Sequence, residues 1–134
     1  ATRYTDKPVL GIGLTLAEGN QEPKIGWALK ERSSGVQLVD EAVALKLAMC
    51  KATTLQQRKV QFQVLNKQLL NHIRSQKASD IRVATLVEDI VQLKGMFHMC
   101  SFCLVNSGNN HLSSRISLYA LGITIDEELW FPQC

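Results

Sequence analysis

The sequence predicts a mixed α/β fold in which helices flank a mixed five-stranded sheet. Short segments rich in β-branched and aromatic residues alternate with segments of helical apolar spacing, in the order β-β-β-α-β-α-α-β-α. A predicted strand follows each of the first and third helices, as expected when helices pack on a sheet. A length of 134 residues, 46% of them hydrophobic, suits one domain with its own core. We therefore predict a single domain over residues 1–134, with residues 122–134 as a C-terminal tail.

Two consecutive hairpins are predicted at the start of the chain. The apolar segment Val9–Leu16 forms the first strand, although its two glycines weaken it. A turn at residues 18–23 leads to a second strand at 24–31, and a turn at 33–35 leads to a short third strand at 36–39. The start at Ala1, without Met, suggests a processed protein or a domain cut from a longer one.

The first helix and the fourth strand come next. Asp40 is placed to cap a helix over residues 41–52, and that helix is apolar on nearly all sides. Such a helix is expected to be buried. The segment KVQFQV at residues 59–64 alternates in polarity and predicts a strand.

Three further helices and a fifth strand complete the predicted order. Asn66 can cap a short second helix, and Asp80 can cap a longer third helix. Residues 97–105 predict the last strand. Asn109 or Asn110 opens the final helix, which runs through Leu121 and is closed by Gly122.

The order and spacing of several motifs resemble the plant, retrotransposon-type ribonuclease H-like family over nearly the whole chain. EAVALKLA, from Glu41, is similar to that family's EA-x-AL-x-x-A helix, and KVQFQVLN, from Lys59, is similar to its KV-x-FESDS strand. Residues 105–117 resemble its V-x-R-x-x-N-x-x-A-[DH]-x-LA motif, and IGW at 25–27 and WFP at 130–132 resemble its GIGW strand and its tail. The resemblance implies a ribonuclease H-like fold.

The resemblance also implies where catalysis would occur. Active members hydrolyse the RNA strand of an RNA–DNA hybrid with two divalent metal ions, which carboxylates hold. Four acidic positions are implied, and they fall on Ile12 (or a neighbouring residue), Glu41, Leu65 and Ser114. Only Glu41 keeps a carboxylate. We therefore expect Mg²⁺ binding to be lost, no metal or other cofactor to be held, and the domain to be an inactive pseudo-nuclease.

Each of these positions also has a structural explanation. An acid in the first turn of a helix, such as Glu41, is favoured by the helix dipole. Ile12 and Leu65 would extend the apolar core, and Asn110 and Ser114 would be capping and first-turn residues of the last helix.

The basic residues are unevenly distributed. The net charge of +3 does not by itself imply a nucleic-acid partner. Residues 42–87, however, hold eight basic residues and one acid, a net +7. Lysine and arginine contacts to phosphates give sequence-independent affinity, although no aromatic residues interleave here for base stacking. Candidate backbone-binding residues are Lys59, Lys67, Arg74, Lys77 and Arg82.

The cysteines indicate neither a disulfide scaffold nor a zinc site. Four cysteines in 134 residues favour a reducing compartment, so we expect an intracellular protein of the cytoplasm or nucleus. Cys100 and Cys103 form a lone C-x-x-C without a second ligand pair, and on a strand they would point to opposite faces. No apolar run is long enough for a membrane span.

These observations predict a binding or interaction module. Its partner would be another protein, a second copy of the chain, or a nucleic-acid backbone held by residues 42–87, and the apolar site substitutions favour a protein or self-association. The alternative is a residual metal-dependent nuclease on RNA–DNA hybrids that uses differently aligned acids. A cleavage assay separates the two.

Overall fold

The computed structural model describes residues 2–3, 8–19, 21–105 and 111–131. The chain divides into two compact units, which we call unit 1 (Ala1–Gly35 with Gly108–Cys134) and unit 2 (Val36–Ser107). The described residues form these elements: β1 Thr2–Arg3, β2 Val9–Leu16, β3 Ile25–Arg32, α1 Gln37–Thr54, β4 Lys59–Val64, α2 Lys67–Ser75, α3 Ile81–Lys94, β5 Met99–Leu104, α4 His111–Ala120 and β6 Glu127–Trp130.

Unit 1 is an antiparallel sheet with one helix packed on it. The strand order is β1-β2-β3-β6, with Ile12 of β2 opposite Leu29 of β3. The outer strand β6 pairs with β3, so that Trp130 lies opposite Ile25. Helix α4 packs on β2 and β3 through a small apolar cluster. Its buried members are Ala28, Ile116, Ala120 and Ile123.

Two glycines in β2 allow α4 to approach the sheet closely. A Cβ atom on Gly11 would overlap the carbonyl oxygen of Ser117, and one on Gly13 would overlap that of Ser113. The two glycines that weaken β2 as a strand are therefore required for helix packing.

Unit 2 packs three helices and two strands around the larger core. Strands β4 and β5 are parallel, with Phe62 opposite Phe102. The Phe62 ring stacks on Phe102 at 5.8 Å between ring centroids and meets Phe97 edge-on at 5.7 Å. The rest of the buried cluster comes from α1, α2, α3 and β4: Val39, Ala42, Leu45, Met49, Ala52, Val64, Leu69, Leu70, Ile73, Val83, Val87 and Ile90.

Two of the three caps predicted in unit 2, Asn66 and Asp80, are confirmed. The Asn66 side chain accepts a hydrogen bond from the backbone N–H of Leu69 at 2.9 Å. The Asp80 side chain accepts one from the backbone N–H of Arg82 at 2.8 Å. Each removes one of the unpaired donors at the start of a helix.

The predicted third strand is wrong. Residues 36–39 begin helix α1, with Val36 as its N-cap residue. Asp40 therefore lies inside the first turn and is not the cap. Val39 and Ala42 continue the helical spacing of the buried face, and burial of that face outweighs the β propensity of the valines.

The sheet also differs from the prediction in its details, within the α/β class that the sequence predicted. Among the described residues, hydrogen bonds group the strands into a four-stranded antiparallel sheet and a two-stranded parallel sheet. The predicted order of element types recurs, but Thr2–Arg3 supplies a strand in place of residues 36–39. Part of the predicted tail, Glu127–Trp130, is the edge strand β6. The capping prediction for Asn109 or Asn110 and the end of the tail, residues 132–134, lie outside the described residues.

No helix within the described ranges is both long enough and apolar enough to span a bilayer.

Candidate functional site

The first-strand position of the implied metal site lies in β2. Ile12 is fully buried, and its neighbours Gly11 and Gly13 face α4 on the other side of the sheet. Since β2 reads VLGIGLTL, no one-residue shift of the alignment brings a carboxylate to this position. The strand supplies hydrocarbon where the implied site needs a ligand.

The last-helix position lies on α4, also in unit 1. Ser114 is exposed, and its carbonyl oxygen accepts a hydrogen bond from the hydroxyl of Ser117 at 2.7 Å. A further hydrogen bond of 2.6 Å joins the hydroxyls of Ser117 and Thr2. The buried hydroxyl of Ser117 thus links the helix to β1, and α4 contains no Asp or Glu.

The other two positions lie in unit 2. Because α1 begins at Gln37, Glu41 lies just beyond the first turn and not within it as expected. It is half-buried, and its Oε1 accepts a hydrogen bond from Nε2 of Gln37 at 2.8 Å. The Gln37 side chain therefore gives this carboxylate a hydrogen-bond partner within its own helix. Leu65 is half-buried between the end of β4 and the Asn66 cap, and it offers no donor atom.

The sequence interpretation missed one buried acid. Asp40, beside Glu41, is only 1% exposed. Its position between Val39 and Ala42, which both belong to the buried face of α1, is the signal that could have identified it. The sequence interpretation assigned Asp40 as the helix cap, which implies an exposed side chain, and its burial was therefore not predicted.

The four mapped residues do not fit a pair of Mg²⁺ ions. Such ions need several carboxylate and water oxygens, whereas these residues supply one carboxylate, one hydroxyl and two alkyl groups. Among the described residues, no three His, Cys, Asp or Glu side chains are grouped so that they could hold a metal ion.

The structure separates the candidate nucleic-acid-binding residues. Lys67 and Arg74 are exposed and seven residues apart on α2, so they share one face of that helix. Lys59 lies at the opposite end of β4, about 17 Å of strand away from the end that leads into α2. Lys77 is exposed in the turn after α2.

Arg82 is the fifth candidate, and its positive charge is partly neutralised by an ion pair with Asp80. Its guanidinium lies 3.2 Å from a carboxylate oxygen of Asp80. The hydrogen bond from this side chain lowers the pKa of Asp80 below its usual value. Lys67 and Arg74 therefore share a face of α2, whereas Lys59 lies away from them at the other end of β4.

Cys100 and Cys103 point to opposite faces of β5, as predicted. Cys100 packs against the core of unit 2, and burial raises the pKa of its thiol. In the described part of the chain, Cys50, Cys100 and Cys103 are free thiols.

Comparisons with solved structures identify the fold. RNase H1 from the halophilic archaeon Halobacterium salinarum superimposes with a TM-score of 0.81 at 15% identity, over 90% of this chain and 91% of that one. The N-terminal RNase H domain of a Mycobacterium tuberculosis protein, solved as a fusion with maltose-binding protein, gives 0.61 at 15% identity, over 84% of this chain and 91% of that one. Both matches show an α/β ribonuclease H-like fold.

Sequence comparison identifies the family. No curated protein matches the chain significantly. Residues 10–117 match the family described as reverse transcriptase-like. That match extends from β2 through α4 and includes all four mapped site positions. The chain therefore belongs to the reverse transcriptase-like family and has the ribonuclease H-like fold.

Proposed function

We propose that this chain is a catalytically inactive ribonuclease H-like domain that acts as an interaction module. The observation that carries the proposal is the lack of acidic residues in three elements that would have to supply metal ligands. Strand β2, strand β4 with Leu65, and helix α4 contain no Asp or Glu. A two-metal hydrolysis needs acidic ligands from several elements, and here Glu41 alone remains at a mapped position. Descent from a plant retrotransposon-type element is supported by the similarity of the motifs that begin at Glu41 and Lys59. A cytoplasmic or nuclear site of action is supported by the low cysteine content.

A cleavage assay tests the loss of activity. The purified chain is incubated with a labelled RNA–DNA hybrid in Mg²⁺ or Mn²⁺, beside the Glu41→Gln variant. Glu88→Gln, on the exposed face of α3, is the matched control. We expect all three proteins to leave the hybrid intact. Metal-dependent cleavage by the wild type and Glu88→Gln that disappears in Glu41→Gln would overturn the proposal.

A residual metal-dependent nuclease is the second candidate, and Asp40 is the observation that favours it. A carboxylate that is 1% exposed beside Glu41 could serve as a ligand that the motif alignment does not count. The same assay on Asp40→Asn tests this candidate. Cleavage by the wild type that is lost in Asp40→Asn, while the variant keeps its fold by circular dichroism, would establish a nuclease.

Binding to a nucleic-acid backbone is one form of the interaction module. Lys67 and Arg74 share one exposed face of α2, so they are the residues to neutralise. We expect any hybrid binding to weaken as salt rises and to weaken in the double Gln variant, because phosphate contacts release counterions. Lys24→Gln, in unit 1, is the control. If the affinity changes neither with salt nor in the double Gln variant, binding to a nucleic-acid backbone through these residues is excluded.

A further inference from the structure

One end of unit 2 combines positive charge with exposed methionines. We call it the basic end and define it as Arg58, Lys59, Met96, His98 and Met99. The backbone N–H of Met99 donates to the carbonyl oxygen of Arg58 at 3.0 Å, and Lys59 pairs with Met99 at the start of the parallel strands. Four of the five residues line a shallow open depression. Met96 and Met99 are 69% and 59% exposed, so apolar area lies directly beside the cations.

The chain segments that carry these cations contain no acid. Residues 50–63, which end α1 and enter β4, contain no Asp or Glu, and neither do residues 90–105, which end α3 and form β5. Lys51 and Lys94, in the last turns of α1 and α3, add to the positive charge. These segments therefore carry net positive charge, which favours an acidic partner.

Unit 1 carries a surface of the complementary kind. We call it the acidic edge and define it as Ile125, Asp126, Glu127, Glu128 and Trp130. Ile125 and Trp130 are 73% and 71% exposed, and they flank three consecutive acids. Within the described residues β6 is the outer strand of its sheet. The ladder bond from the N–H of Phe131 to the carbonyl of Lys24 means that the backbone groups of Glu128 and Trp130 point away from β3.

Hydrogen bonds hold the acidic edge in place. A carboxylate oxygen of Asp126 accepts from the backbone N–H of Lys30 at 3.0 Å. The Glu128 carboxylate accepts from the indole N–H groups of Trp27 and Trp130 at 3.3 and 3.1 Å. These carboxylates are ordered before a partner arrives, which reduces the entropy lost on binding.

We propose that the acidic edge of one copy docks on the basic end of a second copy, so that the chain associates head to tail. The inference rests on the proposed function, because it names the partner of the interaction module as the chain itself. The two surfaces carry opposite charges, each has exposed apolar side chains, and every copy has both surfaces. Pairing two acidic edges across β6 would instead bring six carboxylates together, which like-charge repulsion disfavours.

A head-to-tail contact has a specific consequence for stoichiometry. Each copy binds one neighbour through its acidic edge and another through its basic end, so association either closes into a ring or continues as an open chain. A contact between two identical surfaces would stop at the dimer. The two arrangements are therefore distinguishable by mixing variants that each lack one surface.

Sedimentation velocity on two variants and their mixture tests the proposal. The first variant, Arg58→Glu with Lys59→Glu, reverses the basic end. The second, Ile125→Lys with Trp130→Ser, removes the apolar flanks of the acidic edge and adds a positive charge. We expect wild type to form oligomers as concentration rises, each variant alone to stay monomeric, and the equimolar mixture to form a 1:1 heterodimer and nothing larger. Raising the salt from about 0.05 M to about 0.5 M should weaken the association about tenfold.

Three results would overturn the proposal. These are a wild type that is monomeric at all concentrations, a mixture of the two variants that does not associate, and variants that still oligomerise alone. Gln68→Glu, on exposed α2, controls for added negative charge, and thermal melts confirm that each variant is folded. In the first of these cases, binding of an RNA–DNA hybrid at the basic end would assign that end to nucleic acid. None of these results bears on catalysis, which the hybrid cleavage assay tests separately.

Discussion

Replacing Gly13 with alanine should disrupt the contact between β2 and α4. The added Cβ would overlap the carbonyl oxygen of Ser113 and lie 2.6 Å from the amide nitrogen of Ser117 and 2.9 Å from Cβ of Ile116. Two of these atoms belong to the backbone of α4, so no side-chain rotation relieves the clash. The helix must instead move away from the sheet.

The size of the effect follows from that geometry. Ordinary contacts begin near 3.4 Å, so α4 must withdraw by about an ångström and loosen the packing of Ile116 on Ala28. Overpacking against rigid atoms destabilises by about 1–3 kcal/mol, and we expect about 3 kcal/mol here because backbone must shift. For a chain of this length, that loss lowers the melting temperature by about 10 °C.

Thermal and urea unfolding followed by circular dichroism measure this loss. Gly122→Ala is the matched control, since its Cβ would lie 3.7 Å from the carbonyl oxygen of Tyr119, an ordinary contact. We expect the control to change the free energy of unfolding by about 0.5 kcal/mol or less. Equal stability of the Gly13 and Gly122 variants would refute the close approach of α4 to β2.

Three further predictions concern the site and the ends of elements. Ile12→Asp should lower the free energy of unfolding by about 3 kcal/mol or more, because it buries a carboxylate, and added Mg²⁺ should not restore the melting temperature. Asn66→Ala should destabilise by about 1 kcal/mol in urea unfolding through the lost helix cap, whereas Asn71→Ala, exposed on the same helix, should be nearly neutral. Glu127→Gln should lower the pKa of Tyr119 in an ultraviolet titration, because the hydrogen bond from the phenol to the Glu127 carboxylate, at 2.8 Å, raises that pKa.

The tyrosine prediction has a defined dependence on pH. A raised folded-state pKa means that the folded chain holds the phenolic proton more tightly than the unfolded chain does. The stabilisation is therefore complete below the unfolded pKa of about 10 and is lost as pH rises through the folded pKa. In Glu127→Gln this alkaline loss of stability should be smaller. An unchanged alkaline unfolding profile would contradict the assignment of the raised Tyr119 pKa to Glu127. Separately, a rescue of the Ile12→Asp variant by Mg²⁺ would contradict the interpretation that the implied metal site is lost.

Elements with local signals could be predicted from the sequence. Alternating polarity is a local property, and it identified the strand at Lys59–Val64, while an apolar run between turns identified Val9–Leu16. A capping side chain bonds to a backbone group two or three residues away, and Asn66 and Asp80 were identified for that reason. The chemistry of the mapped site positions is likewise visible in the sequence, because it depends on residue type.

Features that depend on distant partners could not be predicted. The segment Glu127–Trp130 contains two glutamates, which are depleted in strands, and it is extended because β3, about 100 residues earlier, offers an edge to pair with. The burial of Asp40 depends on what α1 packs against. The separation of Lys59 from Lys67 depends on the direction of β4, so a count of charges in residues 42–87 could not show it.

The pairing of β6 with β3 has a consequence for the synthesis of the protein. Unit 2 is one continuous segment, so its parts leave the ribosome in one uninterrupted run, whereas unit 1 joins two segments separated by the whole of unit 2. Strands β2 and β3 emerge well before α4 and β6 are translated. At about 5–20 residues per second, the β2–β3 hairpin waits on the order of 5–20 s with an open edge and an uncovered apolar face. Chaperone dependence and aggregation during expression should therefore originate in this hairpin. The last twenty or so residues of the described chain should decide when that exposure ends, because α4 covers the apolar face and β6 closes the open edge.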